Sequence, residues 1–472
     1  MMWALSILAS LLFIGITRWV YRWRNPKCNG ILPPGSMAFP LVGETLQFLK
    51  PNITSDIPSF IKERTRKYGP VFKTSLFGQP VIMSTDAELN YFVFQQEGQL
   101  FQSSYPVTFT KIFGRQLHSL HGFMYKYLKN MVLTLVGHEG LKKMLPEIEQ
   151  VARRKLEIWS TQDSVELKDA TASMIFDFTA KKLISYDPEK SSENLRENFD
   201  AFIRGLISLP LDIPGTAYHK CLKGRDMAMK MLKNMLKERR ENPRNNPSDF
   251  FDYVMEELQK EGTAMTEEIA IALIFLLLFA SFETTSLALT LAVKFLSDHP
   301  SVLKRLTEEH EAILRNREAS HSGLTWEEYR SMTYTFQFIN ETTRLGNILP
   351  AVFRKVLKDT QFKGYTIPAG WKLFVCPAAV HLNPNIYDDP LAFNPSRWEG
   401  SGTSNVSKYF LPFGGGMRLC VGADFTKLEM AVFLHCLVTK YRWHEIGGGD
   451  TIRSPVLQFP NGYHVRLRKI CK

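Results

Sequence analysis

The chain has 472 residues, 44% of them hydrophobic and 22% charged, which excludes a disordered polypeptide and leaves room for a core able to bury a cofactor. Lys and Arg outnumber Asp and Glu by 58 to 47, an excess spread along the chain with no basic block carrying interleaved aromatics. That distribution favours an anionic membrane or an acidic partner and gives no footing for nucleic acid.

The first stretch, MMWALSILASLLFIGITRWVYRWR over residues 1–24, is apolar through Ile16 and then meets Arg18, Arg22 and Arg24. Its length predicts a transmembrane anchor, and the basic cluster, continued by Lys27, places the bulk of the chain on the cytoplasmic side. A cleaved signal peptide is the rival reading, but the stretch lacks a basic leader and a small-residue cleavage site. Residues 25–40 form a connector in which Pro33, Pro34 and Gly35 stop any helix, and residues 41–472 form the folded domain. Residues 71–75 and 79–84 predict a hairpin turning at Phe77-Gly78. Apolar residues at helical spacing then predict helices over 122–135, 140–160, 167–184, 192–208, 221–241, 266–297 and 300–316. Residues 353–376 return to short strands, and 422–439 predict a further apolar helix. The fold class expected is mainly α with small β-sheets. Of two interruptions, Leu209 to Lys220 reads as a loop that dips into a membrane or covers a pocket, or equally as an ordinary connection. Arg239 to Phe250 reads as a solvated surface linker.

The six cysteines form no C-x-x-C pair and no zinc spacing, a pattern that fits a reducing compartment. One of them stands apart. In FLPFGGGMRLCVGADFTK, Phe410 to Lys427, Cys420 follows a glycine run that lets the backbone approach closely and aim N–H groups at a thiolate. Arg418, two residues earlier, can pair with an acidic group of a cofactor. In NETTRL, Glu341 and Arg344 are three apart and share a helix face. In LLLFASFETTS, Glu283 and Thr284 interrupt an apolar helix; a buried carboxylate there needs a partner or a polar cavity.

The pattern Phe413-x-x-Gly416-x-Arg418-x-Cys420-x-Gly422 resembles the haem-binding loop of the cytochrome P450 family, and the resemblance extends over residues 30–468. It implies the cytochrome P450 fold, with haem b held by Cys420 as the axial ligand to iron and by the loop residues Phe413, Arg418 and Gly422. It implies that Pro395-Ser396-Arg397-Trp398 supplies an arginine to a structural triad, Glu341–Arg344–Arg397. Ala280 to Thr285 resembles the oxygen-activating segment, with Thr284 a hydrogen-bond donor and Glu283 a proton relay, although Ser281 stands where the family usually has glycine. Tyr125 and Lys129 occupy positions where the family has Trp or His and then Arg; with Arg354 and Arg418 they are the expected partners of the haem propionates. By analogy of position the apolar pocket would be lined by Leu120, Leu276, Ala280, Leu349 to Val352, and Phe459.

The anchor, the connector and the motifs look most like the plant microsomal clan that oxidises sterols, brassinosteroids and triterpenoids. The activity so implied is a monooxygenase of the endoplasmic reticulum membrane, using O2 and electrons from NADPH–cytochrome P450 reductase docked near Arg418 and Lys427. Its expected reaction is hydroxylation of a sterol side chain, extending to cleavage to a C21 pregnane such as pregnenolone. The alternative is a triterpenoid or brassinosteroid hydroxylase; more distant ones are a hydroperoxide-rearranging haem enzyme and an inactive haem protein.

Overall fold

The computed structural model describes residues 2–40, 42–53, 56–105, 107–114, 120–188, 195–196, 199, 202, 205, 208, 211–244, 248–317, 323–349, 351–400, 408–454 and 456–470. The helices are α1 (Met2–Arg24), α2 (Thr45–Phe48), α3 (Ser59–Tyr68), α4 (Ala87–Gln95), α5 (Val107–Phe113), α6 (Gly122–Val136), α7 (His138–Ser160) and α8 (Leu167–Ile184). They continue with α9 (Ala217–Glu241), α10 (Phe250–Gln259), α11 (Glu267–Asp298), α12 (Pro300–Asn316), α13 (Trp326–Ser331), α14 (Thr333–Gly346), α15 (Pro377–His381) and α16 (Ala423–Lys440). The strands are β1 (Val71–Leu76), β2 (Gln79–Ser84), β3 (Phe101–Ser103), β4 (Val165–Glu166), β5 (Val352–Val356), β6 (Thr360–Phe362), β7 (Tyr365–Ile367), β8 (Lys372–Val375), β9 (Tyr441–Gly448), β10 (Ile452–Arg453), β11 (Leu457–Gln458) and β12 (Tyr463–Lys469).

α1 exposes its apolar side chains all round, Trp3 and Phe13 among them. At 23 residues it is about 34 Å long, enough for a hydrocarbon core of about 30 Å. Its C-terminal end is tied to the connector: Trp23 Nε1 donates to the Met37 carbonyl at 3.1 Å, and the Arg24 guanidinium lies 5.3 Å from the Phe39 ring.

The predicted hairpin forms because Phe77 and Gly78 both take positive φ, 53° and 70°, the twist that a two-residue hairpin turn requires. It belongs to a five-stranded sheet of order β1-β2-β8-β5-β3, with β2 and β8 parallel and the other pairs antiparallel. A second sheet, β4-β12-β9, packs against α7, α8 and α16, and β6–β7 and β10–β11 are separate ribbons.

α11 runs through the helical core. Thr266 caps it by accepting from the Ile269 N–H at 3.3 Å, and Glu267 and Glu268 occupy its positive first turn. It is apolar on most faces because α8, α9 and α14 pack around it. Length and hydropathy alone would also let α11 span a bilayer, but most of its apolar stretch is buried inside the protein.

Each predicted helix with described residues is present to within a few positions; the one expected over 192–208 lies largely outside the described residues. One reading is corrected. The segment Arg239 to Phe250 is no simple solvated linker, since the Arg239 side chain is 7% exposed and pairs with Asp249 at 2.7 Å and Asp252 at 2.8 Å. Asp249 also caps α10. Polar composition alone could not separate a solvated charge run from a buried, mutually satisfied one.

Candidate active site

The loop before α16 is shaped by its glycines. Gly416 has φ +62°, and a Cβ there would stand 2.0 Å from the Phe94 carbonyl oxygen, so only glycine lets the loop lie against the end of α4. The Cys420 N–H donates to the Phe413 carbonyl at 3.0 Å, folding the loop back so that its thiol faces the N-terminus of α16. Burial raises the Cys420 thiol pKa, and the Gly422 N–H directed at the sulfur and the Lys129 ammonium offset only part of that rise. The thiol thus sits deep among protein atoms yet keeps an accessible surface. Such a sulfur, at the positive end of a helix, is suited to bind metal as a thiolate. Phe413 is half-buried in the same loop, 5.9 Å from the Lys427 ammonium.

Cationic and hydrogen-bonding groups gather beside this loop. The Arg418 guanidinium stacks 3.6 Å from the Tyr125 ring, and its Nη2 donates to the Leu120 carbonyl at 2.7 Å. Tyr125 and Lys129, one turn apart on α6, both donate to the Met417 carbonyl, at 3.3 and 3.0 Å. Arg354 arrives from β5 with its side chain 2% exposed. A residue that sequence reasoning missed joins them: the Glu97 carboxylate lies 3.0 Å from Nε of Arg354 and 3.0 Å from Nε of Arg418. Nothing local marks Glu97, which reads in the sequence as one polar residue of a turn.

On α11, Leu276, Ala280 and Thr284 are spaced four apart and form one stripe. The Ser281 hydroxyl bonds back to the Leu278 carbonyl at 3.1 Å, which spends its polarity inside the helix. Thr284 Oγ1 is 3.5 Å from the Ala280 carbonyl, a long contact that leaves the hydroxyl free to turn. Glu283 is not alone, because Lys168 at the start of α8 donates to it at 2.8 Å, a partner separated by 115 residues and invisible in the sequence. Thr285 Oγ1 lies 3.1 Å from Thr426 Oγ1, linking α11 to α16 close to Cys420.

Of the remaining pocket candidates, Leu120, Leu276 and Phe459 pack half-buried on the large helical core, while Val352 packs with a separate cluster on the sheet. Ala280 and Leu349 are exposed.

Behind the loop, Glu341 and Arg344 are fully buried and joined by two bonds, Nε to Oε2 at 2.9 Å and Nη2 to Oε1 at 2.8 Å. Arg397 Nε donates to Oε1 at 2.8 Å and Trp398 Nε1 to Oε2 at 3.0 Å. Arg344 also donates to the carbonyls of His381 and Pro390, at 2.8 and 2.7 Å. His381, also missed in the sequence, donates from Nδ1 to Asn347 Oδ1 at 2.7 Å and accepts the Leu411 N–H at Nε2, 2.9 Å away. It thereby hangs the start of the cysteine loop on the end of α14. Burial, aided by Arg344, pulls its pKa down to about 3, so this ring is neutral.

Among the described residues no three His, Cys, Asp or Glu side chains gather to hold a bare metal ion. A lone thiol flanked by Arg354, Arg418 and Lys129 fits instead an iron whose other ligands arrive with an acidic cofactor, and the donor set accommodates haem b.

The family described as Cytochrome P450 matches residues 33–464. The chain is 58% identical over 454 residues to cytochrome P450 87A3 of rice, Oryza sativa subsp. japonica, covering 95% of this chain and 88% of that one. It is 43% identical over 473 residues to a beta-amyrin 16-alpha-hydroxylase of Maesa lanceolata, covering 99% of each. It is 38% identical over 482 residues to a cholesterol 22-monohydroxylase of Trigonella foenum-graecum, covering 98% and 96%. The fold matches the retinoic acid-bound cyanobacterial CYP120A1 with a TM-score of 0.83 and 28% identity, over 94% of this chain and all of that one. The chain therefore belongs to the cytochrome P450 family, as a haem b monooxygenase of the plant clan whose members act on sterols and triterpenoids.

Proposed function

We propose that this monooxygenase hydroxylates a sterol on its side chain and, by successive oxidation of adjacent carbons, cleaves it to a C21 pregnane such as pregnenolone. The observation that carries the sterol reading is the near full-length similarity to an enzyme named for hydroxylation of cholesterol at carbon 22. The slightly greater identity to a beta-amyrin hydroxylase supports a second reading, a triterpenoid hydroxylase that stops after one oxidation.

Haem b, when bound, supplies oxygen activation and the power to oxidise an unactivated C–H bond. Cys420 would hold its iron as a thiolate, with the Gly422 N–H moderating the charge on sulfur. Arg354, Arg418, Tyr125 and Lys129 would hold its acidic edge, and Phe413 its face. The stripe Leu276–Ala280–Thr284 would offer an apolar wall ending in the Thr284 hydroxyl, which would hold a proton for transfer. Glu283, held by Lys168, would resupply that proton through water. The apolar wall excludes water and accepts a substrate with few polar groups.

α1 would anchor the protein in the endoplasmic reticulum membrane, with residues 25–40 as connector and residues 41–472 as a cytoplasmic catalytic domain. NADPH–cytochrome P450 reductase would deliver electrons across the face carrying Arg418 and Lys427. The test is expression of the full chain with a plant reductase in microsomes, supplied in parallel with cholesterol and beta-amyrin, with products read by mass spectrometry. A C21 steroid that requires NADPH and disappears in Cys420→Ala is the expected result. Conversion of beta-amyrin alone would replace the sterol reading with the second one.

A further inference from the structure

We infer that Glu97 is a positioning residue for haem: its buried carboxylate holds Arg354 and Arg418 side by side so that their outer nitrogens face the cofactor's acidic groups. This rests on the reading that those two arginines meet the haem edge. The three side chains come from the turn after α4, from β5 and from the cysteine loop, and they are 4%, 2% and 16% exposed. The carboxylate is itself fixed. Gly98 turns the chain with φ +83°, its N–H donates to the Phe101 carbonyl at 2.6 Å, and the Ser103 N–H donates to Glu97 Oε1 at 2.9 Å.

Arg418 donates from Nε to Glu97 Oε1 at 3.0 Å, while Arg354 Nε faces Oε2 at 3.0 Å as an ion pair without a hydrogen bond, so the Nη nitrogens of both guanidinium groups are directed away from Glu97. Arg418 Nη2 is steadied by the Leu120 carbonyl at 2.7 Å and by His121 Nδ1 at 3.0 Å, and Arg354 Nη1 by the Phe353 carbonyl at 3.0 Å. Two neighbouring guanidinium groups in so buried a place repel each other, and Arg418 and Glu97 act on Arg354 with opposite signs. One carboxylate shared by two cations offsets that repulsion and still leaves the cluster positive, as an anionic edge requires. The same negative charge, fixed near the haem, opposes adding an electron to it.

The test uses full-length holoenzyme and compares wild type, Glu97→Gln and Glu97→Asp in haem transfer to excess apomyoglobin and in reduction potential. In Glu97→Gln, of equal size but uncharged, haem transfer should quicken roughly 10–100-fold and the potential should become more positive. Glu97→Asp keeps the charge at shorter reach, so transfer should quicken while the potential stays at the wild-type value. Unchanged transfer and potential in Glu97→Gln overturn the inference, as does an equal potential shift in both variants, which would assign the effect to distortion. If Glu97→Gln fails to fold, judged by circular dichroism, Glu97→Asp decides on transfer rate. Wild-type protein that never retains haem would instead bring down the reading beneath the inference.

Discussion

Glu341 accepts from Arg344, Arg397, Trp398 and the Asn394 N–H, so a fully buried carboxylate is satisfied on every side. Such a group stabilises only while its partners stay, because a buried charge left alone is costly. Arg344→Ala should therefore cost about 3–5 kcal/mol, seen as a lower midpoint in denaturant unfolding; an unchanged midpoint would refute the lock. Thr284 belongs to a different class of residue, since its hydroxyl makes only a long contact to the Ala280 carbonyl and contributes little to packing. In Thr284→Ala, folding should be unchanged while product formed per NADPH drops roughly 100-fold and hydrogen peroxide release rises. Product yield equal to wild type would remove Thr284 from proton delivery.

Among the elements, the cysteine loop depends on a backbone shape that side chains cannot imitate. Gly416→Ala would set a methyl against the Phe94 carbonyl in a left-handed conformation, so the loop must shift. The expected outcome is weakened haem retention and loss of the carbon monoxide difference band characteristic of a thiolate-ligated haem. α1 contributes differently, because it buries nothing of the catalytic part. Deleting residues 2–24 should move the protein from the membrane pellet towards the soluble fraction while the carbon monoxide band persists, and loss of the band would give α1 a folding role.

At the scale of the whole molecule, buried neutral histidines set the response to acid. The pKa values of His381 and His435 are pulled down to about 3 by burial, and burial lowers that of His310 in the same direction. Below about pH 6.5 the unfolded chain takes up protons that the folded one refuses, so stability falls as pH drops and the loss levels off near pH 3. His381 and His435 each contribute a slope of about 1.4 kcal/mol per pH unit inside that window. Urea unfolding at pH 7 and pH 5 should show this loss, and His381→Asn should reduce the slope; equal stability at both pH values would contradict it.

The long helices and the β1–β2 hairpin were legible because apolar spacing and turn residues act locally, over one or two turns of chain, whereas the short helices α2 to α5, α10 and α13 carry too few periodic residues to stand out. The cysteine loop was legible for the same reason, as its glycines, Arg418 and Cys420 lie within a dozen residues. The sequence by itself therefore determined the long helices, the first hairpin, the apolar stretch at the N-terminus and the resemblance on which haem rests. Only tertiary structure decided which charges meet. Glu97 finds Arg354 and Arg418, Lys168 finds Glu283, and Arg239 finds Asp249 and Asp252 instead of solvent. Isolated charged residues look alike in a sequence; their meaning comes from burial, which makes a partner obligatory, and from a fold that brings in that partner from 10 to 321 residues away.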